Sequence, residues 1–486
     1  MLGVPERLWR TKRLFYETMN PDAVVDQALT EMRESSEKRQ LLLAQVESAT
    51  MNQMLKNLHA TDGNNVRRSK RLKTTATDAK SKNDIVAMDN LMYEGMEGSL
   101  GFNLQKYATS VAAITWKQKY FHFTCANGIL DISDSSRLSF LRSLPKEVSI
   151  QMLTELTCAK DTEYVDYNLP IQQIFKQINS NNSFQKISKA ICDFDCHNDE
   201  QESVQEVYKF IFKMHEKKAF IFHQDRQKMY SEQDYIVKFW APVFETFFGQ
   251  DEHIFLHWQV QLYCTCISSC SPHNILLSRG DTQAQACKKN DLKMKLDMRV
   301  MLMKHGHYVM EGSSCEYAAK ATCSKLYKDR LKLVLGAKAY LNEIIENCPH
   351  LDDDDIREIR IPYIQVMGFQ AVLSVLSIKD KGVYIAEEIS KFDFPTTKKQ
   401  IRKGRLRDLV KALSLLKHLL DNLSCRIEEG KVEHGGNKMA RIIEEQKVKK
   451  ATNGQWLSKL KLPSVLDEND DDADEDDDDD EDEDED

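Results

Sequence analysis

A β-hairpin can be recognised in residues 292–313, which run LKMKLDMRVMLMKHGHYVMEGS. Apolar and polar residues alternate through the first half of this stretch, as is typical of a strand with one buried face. The following His305-Gly306-His307 favours a tight turn, and the residues from Tyr308 onward predict a returning strand. We expect one face of the first strand to point away from the core, and this face carries Lys293, Lys295, Asp297 and Arg299.

The elements on either side of the hairpin predict a mixed α/β domain at about 220–421. Upstream, Ser231 caps a helix that has Glu232 in its first turn, and Pro242 kinks this helix or limits its length. Downstream we expect a long helix at 316–346, then strands at 359–366, 370–378 and 383–389, and a last helix from Pro395. The outer face of the long helix is lysine-rich and carries Lys320, Lys325, Lys328, Lys332 and Lys338.

The rest of the chain divides by composition. We expect a helical segment at 1–60, a basic disordered linker at 61–88 and a mainly helical region at 90–215. Residues 21–60 form either a partner-binding helix or a solvated single helix. Residues 426–486 are polar and are predicted to be disordered. The fold class is therefore α+β or α/β, with a mainly helical N-terminal part followed by a mixed sheet flanked by helices.

Charge is distributed very unevenly along the 486 residues. The chain has 67 basic and 76 acidic residues, but 18 of the acidic residues lie in the tail at 467–486. Without this tail the chain is mildly basic, with a net charge of +9. The tail either solubilises the protein or contacts basic surfaces, of this chain or of basic protein partners.

Two basic segments favour contacts with phosphate groups. The first lies in the linker and is typical of a nuclear import signal or a phosphate-binding arm: Arg67, Arg68, Lys70, Arg71 and Lys73. The second opens the last helix and is the best nucleic-acid surface: Lys398, Lys399, Arg402, Lys403, Arg405 and Arg407. Since no base-reading motif accompanies them, we expect contacts to backbone phosphates. In both cases the alternative is an ordinary solvated run of charge.

Composition also constrains where the protein works. The longest apolar stretch, at 369–378, is far shorter than the roughly 20 residues that a membrane span needs. The first residues carry charges where a signal peptide would have an apolar core. The 12 cysteines have no regular spacing, which favours free thiols in a reducing compartment. We expect a nuclear protein, or otherwise a cytoplasmic one, that does not bind membranes.

A cysteine-rich stretch at 259–279 allows three interpretations. It contains Cys264, Cys266, Cys270 and His273, which are soft ligands of the type that zinc prefers. Zinc sites usually use pairs of cysteines separated by two to four residues, so the spacing here is poor for zinc. The stretch is otherwise a neutral insertion or an error in the gene model.

The hairpin also carries candidate catalytic carboxylates. Neighbouring strands lie about 4.8 Å apart, so Asp297 and an acid from the returning strand can share one divalent cation. Glu311 and Glu316 are the available partners, and Mg²⁺ prefers such carboxylates together with waters and phosphate oxygens. Lys320 follows Glu316 by one helical turn and is placed to orient a nucleophile. The alternatives are a surface ion pair between Glu316 and Lys320, and a helix-capping role for Glu232.

These residues and their order resemble the restriction-endonuclease-like PD-(D/E)XK nuclease superfamily over about 220–421. The chain is also similar to a group of uncharacterised fungal proteins. This likeness rests on the helix SEQDYIVKFWAPVFETFF and on Lys295, Asp297, Arg299, Glu316, Lys320, Tyr327, Asp329, Leu333, Gln365, Met367, Gly368 and 394–397. The superfamily pattern places a lysine two residues after the glutamate, whereas here Ser313 follows Glu311 and Ala318 follows Glu316. The lysine would therefore have moved onto the helix, at Lys320.

The resemblance implies a metal-dependent nuclease fold that processes or binds nucleic acid, with catalysis either retained or lost. In the active form, Asp297, Glu316 and Glu311 supply metal ligands for Mg²⁺. Glu232 supports the metal or a water molecule, and Lys320 positions the nucleophile. The alternative is a non-enzymatic nuclear protein that associates with DNA, chromatin or other proteins through the same scaffold.

Overall fold

A computed structural model describes residues 89–134, 136–157, 183–258, 285–290, 294–429 and 453–461. All of them belong to the second of two compact units of the chain, Asp84–Asp486. Four predicted features lie outside the described residues: the helix at 21–60, the linker with its import segment, the cysteine-rich stretch at 259–279 and the acidic tail.

The described residues form a mixed α/β fold around a seven-stranded sheet, which confirms the predicted class at this level. The strands are β1 (Ile129–Asp131), β2 (Ile254–Trp258), β3 (Met298–Lys304), β4 (His307–Ala318), β5 (Arg360–Met367), β6 (Gln370–Asp380) and β7 (Val383–Asp393). Their order across the sheet is β1-β7-β6-β5-β4-β3-β2. The β1–β7 and β4–β5 pairs are parallel, and the other neighbours are antiparallel.

Helices cover the sheet. In chain order those of five or more residues are α1 (Leu100–Ser110), α2 (Trp116–Ala126), α3 (Lys146–Leu156), α4 (Phe184–Cys192), α5 (Asp199–Lys217), α6 (the consecutive segments Glu232–Tyr235, Ile236–Trp240 and Ala241–Phe248), α7 (Gln285–Lys289), α8 (Cys323–Asn347), α9 (Asp353–Glu358), α10 (Lys398–Arg402) and α11 (Arg405–Glu429). The long helix α8 packs against β4, β5, β6 and α2, and α11 packs against β4, β5 and β7. Within the described part of the chain, no helix is both long and apolar enough to cross a membrane.

The predicted hairpin is present as β3 and β4. Its turn residues His305 and Gly306 have φ angles of 50° and 75°, as a tight two-residue turn that matches strand twist requires. The first strand is shorter than predicted, because ladder pairing with β4 begins only at Met298. An irregularity in this ladder leaves Gly312 unpaired. A Cβ atom there would lie 2.7 Å from Leu420 of α11, so a glycine fits this bulge.

The polar face predicted for the first strand is exposed at Lys295 but buried at Arg299, which corrects the sequence interpretation for this part of the strand. Arg299 is only 5% exposed and pairs with Glu311 at 2.6 Å. Because the bulge at Gly312 shifts the alternation of β4 by one residue, Glu311 and Glu316 share the face that α8 covers. Arg299, Glu311 and Glu316 are therefore buried between the sheet and a helix.

The long helix begins later than predicted. Residues 316–318 belong to β4, which pairs with β5 as far as Ala318, and Thr322 then caps α8. The lysines assigned to its outer face also differ among themselves. Lys338 is fully buried, and its ammonium donates to the backbone oxygen of Asn127 at 2.7 Å and to Ser458 at 2.8 Å. Burial lowers the pKa of this lysine well below its usual range.

Helix α6 carries a π turn at Ile236–Trp240, immediately before Pro242. Proline has no N–H to donate, so a wider turn at this point accommodates the missing hydrogen bond. The buried Trp240 donates its indole N–H to the Gly368 oxygen at 2.8 Å, which fixes the helix against the β5–β6 turn. This anchoring sets the position of Glu232 at the start of the helix.

The sheet and core extend beyond the predicted 220–421 region. The short strand β1 pairs with β7, and α2 packs on α8. The sequence assigned residues 426–486 to a disordered segment, but α11 continues to Glu429 and residues 453–461 pack onto the core. Trp456 is the physical reason, since this large side chain is 1% exposed and donates its indole N–H to Asp353 at 3.0 Å.

Candidate active site

Four carboxylates and two lysines meet on the face of the sheet that α8 covers. We call this group the acidic cluster, and its members are Glu232, Asp297, Glu316, Asp329, Lys325 and Lys332. The cluster draws on the first turn of α6, the residue before β3, the end of β4, and α8.

The hairpin holds Asp297 beside Glu316. The Oδ2 atom of Asp297 accepts a hydrogen bond from the backbone N–H of Tyr317 at 2.8 Å. Met298, the next residue, pairs with Cys315 across the ladder. Asp297 is therefore fixed to the stretch of β4 that carries Glu316, a residue that the sequence placed at the start of the long helix.

The two lysines connect the carboxylates. Lys332 lies 3.2 Å from Glu316 and 3.8 Å from Asp329. Lys325 lies 3.3 Å from Glu232 and 3.4 Å from Asp329. Positions 325, 329 and 332 lie on one face of α8 because they are separated by four and three residues. Asp329 thus sits at the centre, bridged to each side by an ammonium group.

The acidic cluster runs from the protein interior to the surface. The side chains of Glu316 and Asp329 are 1% and 0% exposed, whereas those of Lys325 and Glu232 are 33% and 37% exposed. Asp297 is half-buried. A substrate can therefore approach from the side of Glu232 and Lys325, while the innermost carboxylates stay shielded from water.

Negative charge exceeds positive charge in this buried setting. Burial, together with Asp297 and Asp329, raises the pKa of Glu232 to about 7, although Lys325 opposes the shift. Burial likewise raises the pKa of Asp329 to about 6, against the pull of both lysines. For Asp297 and Glu316 burial also raises the pKa. Burial disfavours the charge on Lys325, but Asp329 and Glu232 outweigh it and raise its pKa to about 12.

The excess charge leaves oxygen atoms unsatisfied. Glu316 Oε1 is buried and has no hydrogen-bond partner, and the two buried oxygens of Asp329 have only their ion-pair contacts with Lys325 and Lys332, at 3.4 and 3.8 Å. Such atoms are costly unless a proton or a cation neutralises them. The cluster is therefore poised to hold protons near neutral pH or to exchange them for a cation.

The donor chemistry fits a hard divalent cation such as Mg²⁺, because all four acids offer carboxylate oxygens. Asp297 and Glu316 are the residues that would hold it, since they are adjacent and Glu316 has an unsatisfied oxygen. In the described part of the chain, no three His, Cys, Asp or Glu side chains are grouped closely enough to hold a metal ion. The ammonium groups of Lys325 and Lys332 bridge the acids instead.

The structure brings some predicted site residues together and separates others. Glu232, Asp297 and Glu316 are neighbours, as the sequence predicted. Lys320 is exposed in the connection between β4 and α8 and makes no ion pair with a described residue. Glu311 lies in a different group, where its carboxylate pairs with Arg299.

Three members of the acidic cluster were not predicted as site residues. Lys325 and Lys332 were interpreted as outer-face lysines, and Asp329 appeared only as part of a helix motif. The signal was present in the sequence, since a Lys, an Asp and a Lys at 325, 329 and 332 define one helix face. Once α8 lies over the carboxylates of the hairpin, this face completes the cluster.

The predicted nucleic-acid surface lies at the start of the last helical pair. Gly404, with a φ angle of 90°, separates α10 from α11. Lys398, Lys399, Arg402, Lys403 and Arg405 are exposed, and Arg407 is half-buried. Arg405 pairs with Asp393 at 3.3 Å. Lys399, Arg402 and Lys403 have no carboxylate partner among the described residues.

The side chains of the acidic cluster come from a helix start, a hairpin and a long helix that are far apart in the sequence. The chain matches no protein-family model, no curated protein and no solved structure.

Proposed function

We propose that the acidic cluster is the catalytic site of a divalent-cation-dependent nuclease with a PD-(D/E)XK-like arrangement. The observation that carries this proposal is the meeting of Asp297, Glu316 and Lys332. Asp297 is fixed to the end of β4 through Tyr317, and Lys332 lies 3.2 Å from Glu316. Two acids on neighbouring strands with an adjacent lysine are the combination expected for phosphodiester hydrolysis.

The fold and the position of the lysine support the resemblance seen in the sequence. A hairpin lies within a mixed sheet with helices packed on it, and α6 contributes an additional acid. The lysine of the superfamily pattern is absent from β4, but Lys332 reaches Glu316 from α8. We therefore assign the migrated lysine to Lys332 rather than to Lys320.

Each side chain has a chemical role in this proposal. Asp297 and Glu316 would hold the cation, which when bound would polarise the phosphodiester and lower the pKa of a water molecule. Lys332 offsets negative charge that develops on the phosphate in the transition state. Glu232 lies at the exposed side with a pKa of about 7 and accepts a proton from the water. Lys325, beside it, orients this carboxylate at 3.3 Å.

The proposal is tested by cleavage of plasmid DNA and of labelled single-stranded oligonucleotides with Mg²⁺, Mn²⁺ or EDTA. Wild type should cleave only with a cation, and Asp297→Asn should lose at least about 100-fold in rate. Glu343→Gln is a matched control, because Glu343 is a half-buried carboxylate of α8 outside the acidic cluster. Equal rates for wild type and Asp297→Asn would remove the catalytic assignment.

A second function, salt-sensitive binding without catalysis, is favoured by the exposed cations of α10. Neutralising Lys399, Arg402 and Lys403 together should weaken duplex DNA binding. It should also make the slope of log affinity against log salt shallower by about 2.7. If wild type binds in this way but never cleaves, the fold is a scaffold. Nuclear import through 67–73 and contacts of the acidic tail with basic partners remain predictions under either function.

A further inference from the structure

We infer that the surface around Trp116 binds single-stranded nucleic acid and leads the strand toward the acidic cluster. We call this surface the Trp116 platform, and it comprises Trp116, Lys117, Lys119 and Lys328. That the strand leads to a cleavage site rests on the proposed function, whereas the evidence for binding comes from other residues. None of these four side chains belongs to the acidic cluster or to the basic run at 398–411.

The geometry joins α2 to the beginning of α8. The ammonium of Lys119 lies 4.4 Å from the centre of the Trp116 ring, and that of Lys328 lies 5.5 Å from it. Lys117 lies 5.9 Å from the Tyr327 ring. Two cations thus lie over one half-exposed indole, and a third lies over the buried ring of Tyr327, the residue before Lys328.

Trp116 differs from the other described tryptophans. Trp240, Trp258 and Trp456 each donate the indole N–H to a protein oxygen. Trp116 makes no such bond among the described residues, and the neighbouring Ile114 is 75% exposed. Large aromatic side chains that remain partly in water present a flat apolar surface on which a nucleobase can stack.

The charge around the platform favours an anionic ligand. No acidic residue occurs between Glu97 and Asp131, a segment that includes all of α1 and α2. None occurs between Glu316 and Asp329, where Lys320, Lys325 and Lys328 lie. The segments that carry the platform are therefore basic, and each phosphate that its lysines contact adds to the salt dependence of binding.

The platform is continuous with the acidic cluster along α8. Lys328 is the residue before Asp329, and it lies one helical turn after Lys325, which pairs with Glu232 at 3.3 Å. A strand with one base on Trp116 has its backbone beside Lys328, close to the exposed side of the cluster. Stacking on Trp116 requires a base that is not already stacked in a duplex, so the expected ligand is a single strand.

The experiment measures fluorescence anisotropy of a labelled oligothymidine strand with the full-length protein in EDTA, where no metal-dependent cleavage occurs. Trp116→Leu keeps an apolar contact with the core but removes the aromatic surface. It should weaken binding about 5- to 150-fold. Lys119→Ala/Lys328→Ala leaves the core untouched and should make the salt slope shallower by about 1.4. Lys304→Ala, at the hairpin turn and paired with Glu428, is the lysine control and should bind like wild type.

Two results overturn the inference: wild-type affinity in both platform variants, or tighter binding of a duplex of equal length than of the single strand. If Trp116→Leu misfolds by circular dichroism, the lysine pair decides alone. The platform and the proposed nuclease activity fail separately. If wild type cleaves no nucleic acid but the platform variants bind less tightly, the platform is supported and the nuclease activity is not. If wild type cleaves but the platform variants bind as tightly as wild type, the nuclease activity is supported and the platform is not.

Discussion

The face of β4 that α8 covers carries two charged groups with different designs. In one, Arg299 and Glu311 pair at 2.6 Å, with side chains that are 6% and 1% exposed. In the other, Glu316 belongs to the acidic cluster, where four carboxylates face two lysines and exposure rises to 37% at Glu232. The first group is balanced and closed, whereas the second has excess negative charge and reaches the surface.

This difference shows what distinguishes a site from a structural ion pair. A raised pKa does not separate the two groups, because burial raises the pKa of Glu311 to about 7, as it does for Glu232. Charge balance and access to solvent do separate them. The Arg299–Glu311 pair has equal charges and is closed to solvent, although Glu311 Oε2 also lacks a hydrogen-bond partner. The acidic cluster has more carboxylates than lysines and reaches the surface, so it can respond to protons and cations.

The largest expected effect is on stability and concerns the balanced pair. Glu311→Gln removes the carboxylate that pairs with the buried Arg299 guanidinium, which should lower the free energy of unfolding by about 3–5 kcal/mol. Urea denaturation of the purified protein measures this change. As a control, Glu343→Gln removes a half-buried carboxylate nearby and should cost much less. A loss below 1 kcal/mol, on the order of an exposed pair, would show that Glu311 is not the required partner.

The second effect concerns cation binding by the acidic cluster. Mn²⁺ at about 100 times its dissociation constant should stabilise wild type by about 2.7 kcal/mol, because only the folded chain assembles the carboxylates. Asp297→Asn should remove this gain, as followed by the thermal midpoint with and without Mn²⁺. The gain should also shrink as the pH falls from 7.5 to 5.5, since protons compete for Glu232 and Asp329. An equal gain in Asp297→Asn would place the cation elsewhere.

The smallest effect is the pH dependence of stability. Glu232 and Asp329 keep protons in the folded state up to about pH 7 and pH 6, whereas the unfolded chain releases them near pH 4. Raising the pH through this window therefore favours unfolding, and the free energy of unfolding should fall. In Asp329→Asn the decrease in the free energy of unfolding over this pH range should be smaller by an amount on the order of 1 kcal/mol. Urea denaturation at several pH values measures it, with the exposed Glu97→Gln as the surface control. An identical fall in wild type and Asp329→Asn would contradict the raised pKa.

The hairpin was predictable from sequence because its signals are local. The alternation at 292–302 and the residues His305 and Gly306 specify two strands and a tight turn without reference to the rest of the chain. The proximity of Asp297 and Glu316 followed from that hairpin. Glu232 was placed by the resemblance to the nuclease superfamily rather than by its own spacing.

The identity of the lysine beside Glu316 and the packing of the C-terminal segment were not predictable from sequence, because both depend on contacts between residues that are far apart in the chain. β4 continues to Ala318 only because β5 pairs with it there, so Lys320 falls in a connection and Lys332 takes its place. Arg299 of β3 is buried because α8 covers this face and the bulge at Gly312 turns Glu311 toward it. Trp456 lies within a polar stretch, and its burial depends on contacts such as that with Asp353, which lies 103 positions earlier.

The contrast between the two groups is tested most directly by the same substitution in each. Cation-dependent cleavage of a labelled single strand should be measured for Glu316→Gln and Glu311→Gln at a temperature where both are fully folded by circular dichroism. We predict that Glu316→Gln lowers the rate at least about 100-fold, while Glu311→Gln keeps the wild-type rate per folded molecule. Equal rates in the two variants, or no cation-dependent cleavage by wild type, would contradict the assignment of the acidic cluster as the catalytic site.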